Sequence, residues 1–144
     1  MKDRPRAEGP GTISFEFELA TGRRQQLIDI NAQVQEIVSR SGVRQGVCRV
    51  FVPHTTAAVT INENADPDVP HDILLGMASF VKNLPAFRHA EGNSTAHIQS
   101  SLMGASAQVF VEEGRLRLGT WQSLFFCEFD GPRHRKVWVK ISEG

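Results

Sequence analysis

Cysteine, long apolar runs and surplus charge are all scarce in this chain, and each shortage narrows what it can be. Only two cysteines occur among its 144 residues. Cys48 and Cys127 each fall within an apolar strand pattern, the usual setting of a reduced, buried thiol, so the expected location is cytoplasmic. A disulfide between them would need Cα atoms within about 7 Å. No apolar run reaches membrane-spanning length. Met1 to Pro10 lacks the apolar stretch of a secretory signal. Lys and Arg number 16, Asp and Glu also 16, and formal net charge is zero. Bulk electrostatics therefore gives no support to a nucleic-acid or anionic-membrane partner, and neither is expected. Walker sequences, dinucleotide fingerprints, nucleophile elbows, paired Cys-x-x-Cys motifs and internal repeats are all missing.

What is present suits one compact domain. Hydrophobic residues at 40% and charged residues at 22% supply enough apolar surface for a core at this length. Residues 1–11 are expected to form a flexible tail and residues 12–144 the domain. Ile13, Phe15, Phe17 and Leu19 alternate with Ser14, Glu16 and Glu18, which predicts a strand with one wet face. Residues 21–24 form a turn, and residues 25–28 a short return strand. Asp29 offers an N-cap, Ile30, Val34, Ile37 and Val38 follow at helical spacing, and Gly42 closes that helix. Residues 47–52 read as a strand stopped by Pro53, and residues 57–62 as another. Asp66-Pro67-Asp68 starts a second helix with Ile73, Met77, Phe80 and Val81 on one stripe, stopped at Leu84-Pro85. Residues 86–97 read as a polar loop and residues 98–104 as a helical turn or two. Residues 109–111 and 116–118 flank Glu113-Gly114 as a hairpin. Residues 121–129 are apolar on both faces, the pattern of a strand covered on both sides, with Trp121 assigned to the core or to a subunit contact. Asp130-Gly131-Pro132 turns the chain, and Val137, Val139 and Ile141 alternate along the last strand. The fold class is α+β: a largely antiparallel β-sheet sandwich with two main helices.

Three of the five histidines stand among hydroxyls, amides and carboxylates. His54 precedes Thr55-Thr56, while His89 and His97 bracket Glu91-Gly92-Asn93-Ser94-Thr95. Imidazole is the usual metal ligand and titrates nearest neutral pH, so the three are a candidate first shell for a divalent metal. The spacing from His89 to His97 matches no tight zinc signature, and histidines of a surface loop are the plainer alternative. Glu128 shares a strand face with Leu124 and Phe126. A carboxylate there must be paired or must shift its pKa upward. Either it forms a structural ion pair with Arg133 or Arg135, or it serves as a base at a pocket rim. Arginine grips phosphate through a planar fork, so one of those two arginines can meet a phosphorylated ligand while the other pairs with Glu128. Asp66 and Asp68 suit helix capping. Asn62, Glu63 and Asn64 are left to hydrogen-bond a heterocycle or hold hydrated magnesium. Gly92-Asn93-Ser94 can form a backbone nest for an anion.

Together these stretches resemble one family. The run from His54 to Asn64 with Asp66-Pro67-Asp68-Val69, the run His89-x-Glu91-Gly92-Asn93-Ser94-x-Ala96-His97 with Ser101-Leu102-Met103-Gly104, and Gly119-Thr120-Trp121-Gln122 with Glu128-Phe129-Asp130-Gly131-Pro132-Arg133-x-Arg135 are similar to three signatures of the YjbQ-type proteins, named secondary thiamine-phosphate synthases. The resemblance implies a homotrimer of α+β domains with a site built from the three motifs near subunit contacts. It also implies a reaction that joins a pyrimidine diphosphate to a thiazole phosphate and releases pyrophosphate. On that reading His54, Glu128 and Arg133 are catalytic; Thr55, Asn62, Glu63, Asn93, Ser94 and Arg135 bind substrate; and His54, His89 and His97 hold a metal. Three imidazoles favour zinc or a similar ion over magnesium, which prefers oxygen ligands. The alternative is a trimeric metal- or phosphate-binding module without turnover.

Overall fold

The computed structural model describes residues 6, 7 and 11–144. Among them run β1 (Arg6–Ala7), β2 (Thr12–Ala20), β3 (Gln26–Asp29), α1 (Asn31–Ser41), β4 (Gln45–Phe51), β5 (Ala57–Glu63), α2 (Asp68–Phe80), α3 (Ser94–Met103), β6 (Ser106–Glu112), β7 (Arg115–Arg117), β8 (Gln122–Glu128) and β9 (His134–Glu143). Most of the stretch expected as a tail lies outside the described residues; within it, β1 pairs with β2. Every strand pairing is antiparallel. One sheet has the order β1-β2-β9-β4-β6-β7 and the other β3-β8-β5. This is the α+β antiparallel sandwich that the periodicities predict.

The main core fills the space between the sheets. Phe15 and Phe17 point inward from β2, Val137, Val139 and Ile141 from β9, and Leu124 and Phe126 from β8. Helix α1 adds Ile30, Val34, Ile37 and Val38, all fully buried. Asp29 Oδ1 accepts the backbone N–H of Asn31 at 2.8 Å, satisfying a donor that a helix start leaves free. Gly42 adopts φ 73° at the other end, the left-handed conformation that glycine takes without a Cβ penalty. The opposite face of the smaller sheet carries a second cluster of Ala58, Cys127 and Phe129 with Ala96 from α3, flanked by Leu74 and Met77 of α2. Strand β8 is therefore sandwiched on both faces, as its apolar run requires. Both cysteines are free and buried.

Three features depart from expectation. Helix α3 begins at Ser94 and runs 10 residues, where a loop up to residue 97 is expected. Its buried face is Ala96, Gln99 and Ser100, so polar residues mask the helical period. They fit because their polar atoms are satisfied: Ser100 Oγ donates to the Ala57 carbonyl at 2.8 Å and Gln99 Nε2 to the Met77 carbonyl at 3.3 Å. Helix α2 buries none of its residues fully, and Phe80, expected on its inner stripe, is 75% exposed. Trp121 precedes β8 and is 61% exposed, so within one chain it is not a core residue. Among the described residues no helix is long and apolar enough to cross a membrane.

Phe126 fills the main core from the most enclosed strand. Phe126→Ala is expected to cost about 3–5 kcal/mol of stability, measured by urea denaturation; a loss below about 1 kcal/mol would place the core elsewhere.

Candidate functional site

The site grows from one buried ion pair. β8 ends at Glu128, in the smaller sheet, and Arg135 lies near the start of β9, in the larger one. Glu128 is 0% exposed and Arg135 4%. Arg135 donates to both carboxylate oxygens, through Nε to Oε1 at 2.9 Å and through Nη2 to Oε2. Thr21 Oγ1 donates to Oε1 at 2.7 Å, and the Asp130 amide to Oε2 at 3.1 Å. Arg135 Nη2 also donates to Thr56 Oγ1 at 2.8 Å. Burial, the largest influence, pushes the Glu128 carboxyl up. The hydrogen bonds from Arg135, Thr21 and the Asp130 amide, with the Arg135 charge, outweigh it and hold the carboxyl below the usual carboxylate range. Glu128 is thus ionised near neutral pH and fully engaged. Of the two roles expected for it, this arrangement is that of the structural ion pair: within one chain the carboxylate is fully buried and both oxygens accept hydrogen bonds. Arg135 is buried with it, and within one chain its guanidinium is engaged by Glu128 and Thr56.

Arg133 is the arginine that faces outward. The turn carrying it is held by the Thr21 amide donating to the Arg133 carbonyl at 2.8 Å and by the Arg133 amide donating to Thr21 Oγ1 at 2.9 Å. Gly131 is required there, since a Cβ would lie 2.2 Å from the Arg23 carbonyl oxygen; the Gly131–Pro132 bond is cis. Arg133 Nη2 donates to Asp130 Oδ2 at 2.8 Å, and its side chain remains 53% exposed. Asn93 Nδ2 donates to the same Asp130 oxygen at 2.9 Å. Asp130 therefore joins the second and third motifs. Burial pushes its carboxyl up, but the Asn93 hydrogen bond and the charges of Arg133 and Arg24 bring it below its usual range. Asn93 stands at the N-cap of α3, followed by Ser94 and Thr95. The first amides of a helix lack intrahelical acceptors and carry partial positive charge. An exposed guanidinium beside them makes a setting for an anion.

His54, half-buried on the loop after β4, accepts the Lys136 amide at Nε2, 2.9 Å away. That hydrogen bond assigns the ring proton to Nδ1. Burial, then the Arg135 charge, lower its pKa, while Glu128 opposes the shift. His54 is neutral at pH 7 and presents a donor, with its other nitrogen occupied. His89 and His97 meet edge to face, with ring centroids 5.1 Å apart. Among the described residues no three His, Cys, Asp or Glu side chains gather closely enough to hold an ion. The three-histidine shell is therefore not assembled within one chain, and His54 is its least suitable member.

Other expected residues separate too. Thr55 lies exposed beside His54. Asn62 and Glu63 sit at the far end of β5, where Glu63 pairs with Gln122 while Ala57 pairs with Glu128. Six residues of strand put them about 20 Å from the Glu128 end at roughly 3.3 Å per residue. Asn62 Oδ1 accepts the Glu63 amide at 2.7 Å, and Asn64 Nδ2 donates to Asp29 Oδ2 at 2.7 Å, beside the start of α1. A single site holding His54, Asn62 and Glu63 within one protomer is thus corrected by strand length. Asp130, Thr21 and Thr56 were not expected as site residues. Asp130 read as a turn residue within the third motif and Thr56 as part of the run after His54, neither with a role of its own, and nothing local marks Thr21. An open groove of about 590 Å³ between α1 and the β6–β7 hairpin contains none of the motif residues.

The chain is similar to known proteins along nearly its whole length. A family model described as UPF0047 protein YjbQ-like matches residues 15–144. The UPF0047 protein of Methanocaldococcus jannaschii is 47% identical over 88% of this chain and 92% of its own length. YugU of Bacillus subtilis, also a UPF0047 protein, is 47% identical over 87% of this chain and 96% of its own. A solved structure of a YjbQ/UPF0047 protein from Clostridium acetobutylicum superposes with a TM-score of 0.85 at 54% identity, covering 88% of this chain and 98% of that one. A YbjQ-like protein of unknown function from Sulfolobus solfataricus reaches 0.87 at 35% identity, covering 92% and 98%.

Glu128→Gln leaves the Arg135 charge buried without its counter-ion, and should cost about 3–5 kcal/mol. The double variant Glu128→Leu/Arg135→Met should recover most of that loss. Because the folded Glu128 carboxyl titrates lower than in the unfolded chain, its contribution is complete above the ordinary glutamate pKa of about 4.3 and is lost as pH falls below it. Urea denaturation across that range should show an acid-sensitive limb in the native chain that Glu128→Gln flattens.

Proposed function

Because the chain belongs to the YjbQ-like UPF0047 family, we propose that it is a cytoplasmic enzyme of phosphorylated-metabolite chemistry, with thiamine-phosphate synthesis as its nameable reaction. One observation carries the reading: the solvent-facing guanidinium of Arg133 is anchored by Asp130 beside Asn93, at the start of α3. Pyrophosphate leaves as an anion, so its departure is helped by fixed positive charge and amide donors aimed at the oxygens where charge develops. Arg133 and the first-turn amides at Ser94 and Thr95 take that role. His97, two residues after Thr95 in the helix, donates or accepts a proton at its rim, and His54 offers its Nδ1–H. Glu128 and Arg135 touch no substrate and position the turn that presents Arg133.

Self-association as a homotrimer belongs to the same proposal. Leu75 and Phe80 of α2, Leu84, Leu102 of α3 and Trp121 are all exposed. Large exposed apolar surface is uncommon on a monomer, and an apolar helix that buries nothing fully within its own chain is supported by a second copy covering it. Residues that strand length separates within a protomer, such as Asn62 and Glu63, can then meet the site of another.

A non-catalytic module is the second reading. The adjacent imidazoles of His89 and His97 favour it, as a pair able to share a zinc-like divalent ion with a further ligand. Elemental analysis of the purified protein checks it: stoichiometric metal that His97→Ala releases, with no turnover of any precursor, would establish this reading over the enzymatic one.

Purified protein supplied with the pyrimidine diphosphate and the thiazole phosphate should form thiamine phosphate. Arg133→Ala and His97→Ala should each lower the rate by about 10²-fold or more at unchanged melting temperature. Full activity in both variants would remove the reaction from this site. Sedimentation equilibrium should give three times the chain mass, and Phe80→Glu should lower it.

A further inference from the structure

The anion setting at α3 holds a hydrogen-bond acceptor that none of the described residues uses. Asn93 is 8% exposed, and its Oδ1 is buried without a partner. This is not a helix cap out of place. The side-chain amide is fixed by its donation to Asp130, and the Ala96 and His97 amides already bond to the Asn93 backbone carbonyl, at 3.0 and 3.3 Å. Asp130 Oδ2 meanwhile receives two donors, from Asn93 and Arg133. A buried acceptor left unpaired is costly, and within a fixed amide its direction is set. The unpaired oxygen therefore calls for a hydrogen from outside the chain, next to the amides and guanidinium suited to an anion.

We propose that the ligand of this site carries an N–H or O–H donor close to its phosphate, and that Asn93 Oδ1 selects for it. The inference rests on the phosphate reading above and narrows its substrate class. One helical turn rises about 5 Å, so an anion on the first-turn amides and a donor to Oδ1 fit within one small molecule. An amine gains further from the neighbouring Asp130 carboxylate; a hydroxyl uses the hydrogen bond alone.

Three probes of similar shape test this by calorimetry on the full chain: O-phosphoethanolamine, 2-hydroxyethyl phosphate and propyl phosphate. The first two should bind at least roughly tenfold more tightly than the third, the ratio that about 1.4 kcal/mol produces. Hydroxyethyl phosphate separates hydrogen bonding from charge. Asn93→Ser should remove the preference for hydroxyethyl over propyl phosphate, while O-phosphoethanolamine keeps the part of its advantage that comes from the Asp130 carboxylate; should this variant not fold, the comparison on the native chain stands by itself. Equal binding of hydroxyethyl and propyl phosphate would overturn the role of Asn93 and leave the phosphate site standing. Absence of binding by all three would overturn the phosphate site and this inference with it.

Discussion

A carboxylate and a guanidinium sealed between two sheets set the geometry of the candidate site. Glu128 closes the central strand of the smaller sheet, and Arg135 lies in the strand that the larger sheet places between β2 and β4. Thr21 and Thr56 complete the ring of partners from either side. Such a pair contributes little net stability compared with apolar side chains of the same volume, since both charges lose their water. Its effect is on geometry. Each charge is held by the other and by neutral partners on neighbouring segments, so the strand ends, and the turn strung between them, are tied to one arrangement.

That turn is what the site consists of. Between Glu128 and Arg135 lie Asp130, the glycine that only a missing Cβ can accommodate, and Arg133. The stiffness of the pair becomes the stiffness of Asp130, which holds Asn93 and with it the start of α3. Cationic and amide donors thus converge on one patch, while the anions of the site are committed internally. His54 is drawn in by the same strand, through the Lys136 amide, and is kept neutral by burial and by Arg135.

Much of this was legible in the chain. Period-two alternation along β2 and β9, the helical stripe of α1 and the two-sided apolarity of β8 each reflect burial, which composition records directly. The pairing of one arginine with Glu128 was also legible, because a carboxylate on an apolar face has few alternatives. Helix α3 was not, since its inner face uses glutamine and serine satisfied by the Met77 and Ala57 carbonyls, which are distant in sequence. The grouping of three histidines was misleading in a different way. Similar residues in similar local company carry no information about which of their nitrogens is already engaged, and the Lys136 amide engages one of them.

By itself the sequence determined the apolar inner faces of β2, β8, β9 and α1, which strands alternate and which motifs are present, because the free energy of removing apolar groups from water is a property of each side chain in turn. Only the tertiary structure decided that Arg133 faces solvent and Arg135 does not, that Asp130 links the second motif to the third, and that Asn62 and Glu63 stand a strand's length away. Those outcomes depend on directions and distances between segments far apart in the chain, and hydrogen bonds and charges are sensitive to both, whereas the hydrophobic driving force is non-directional.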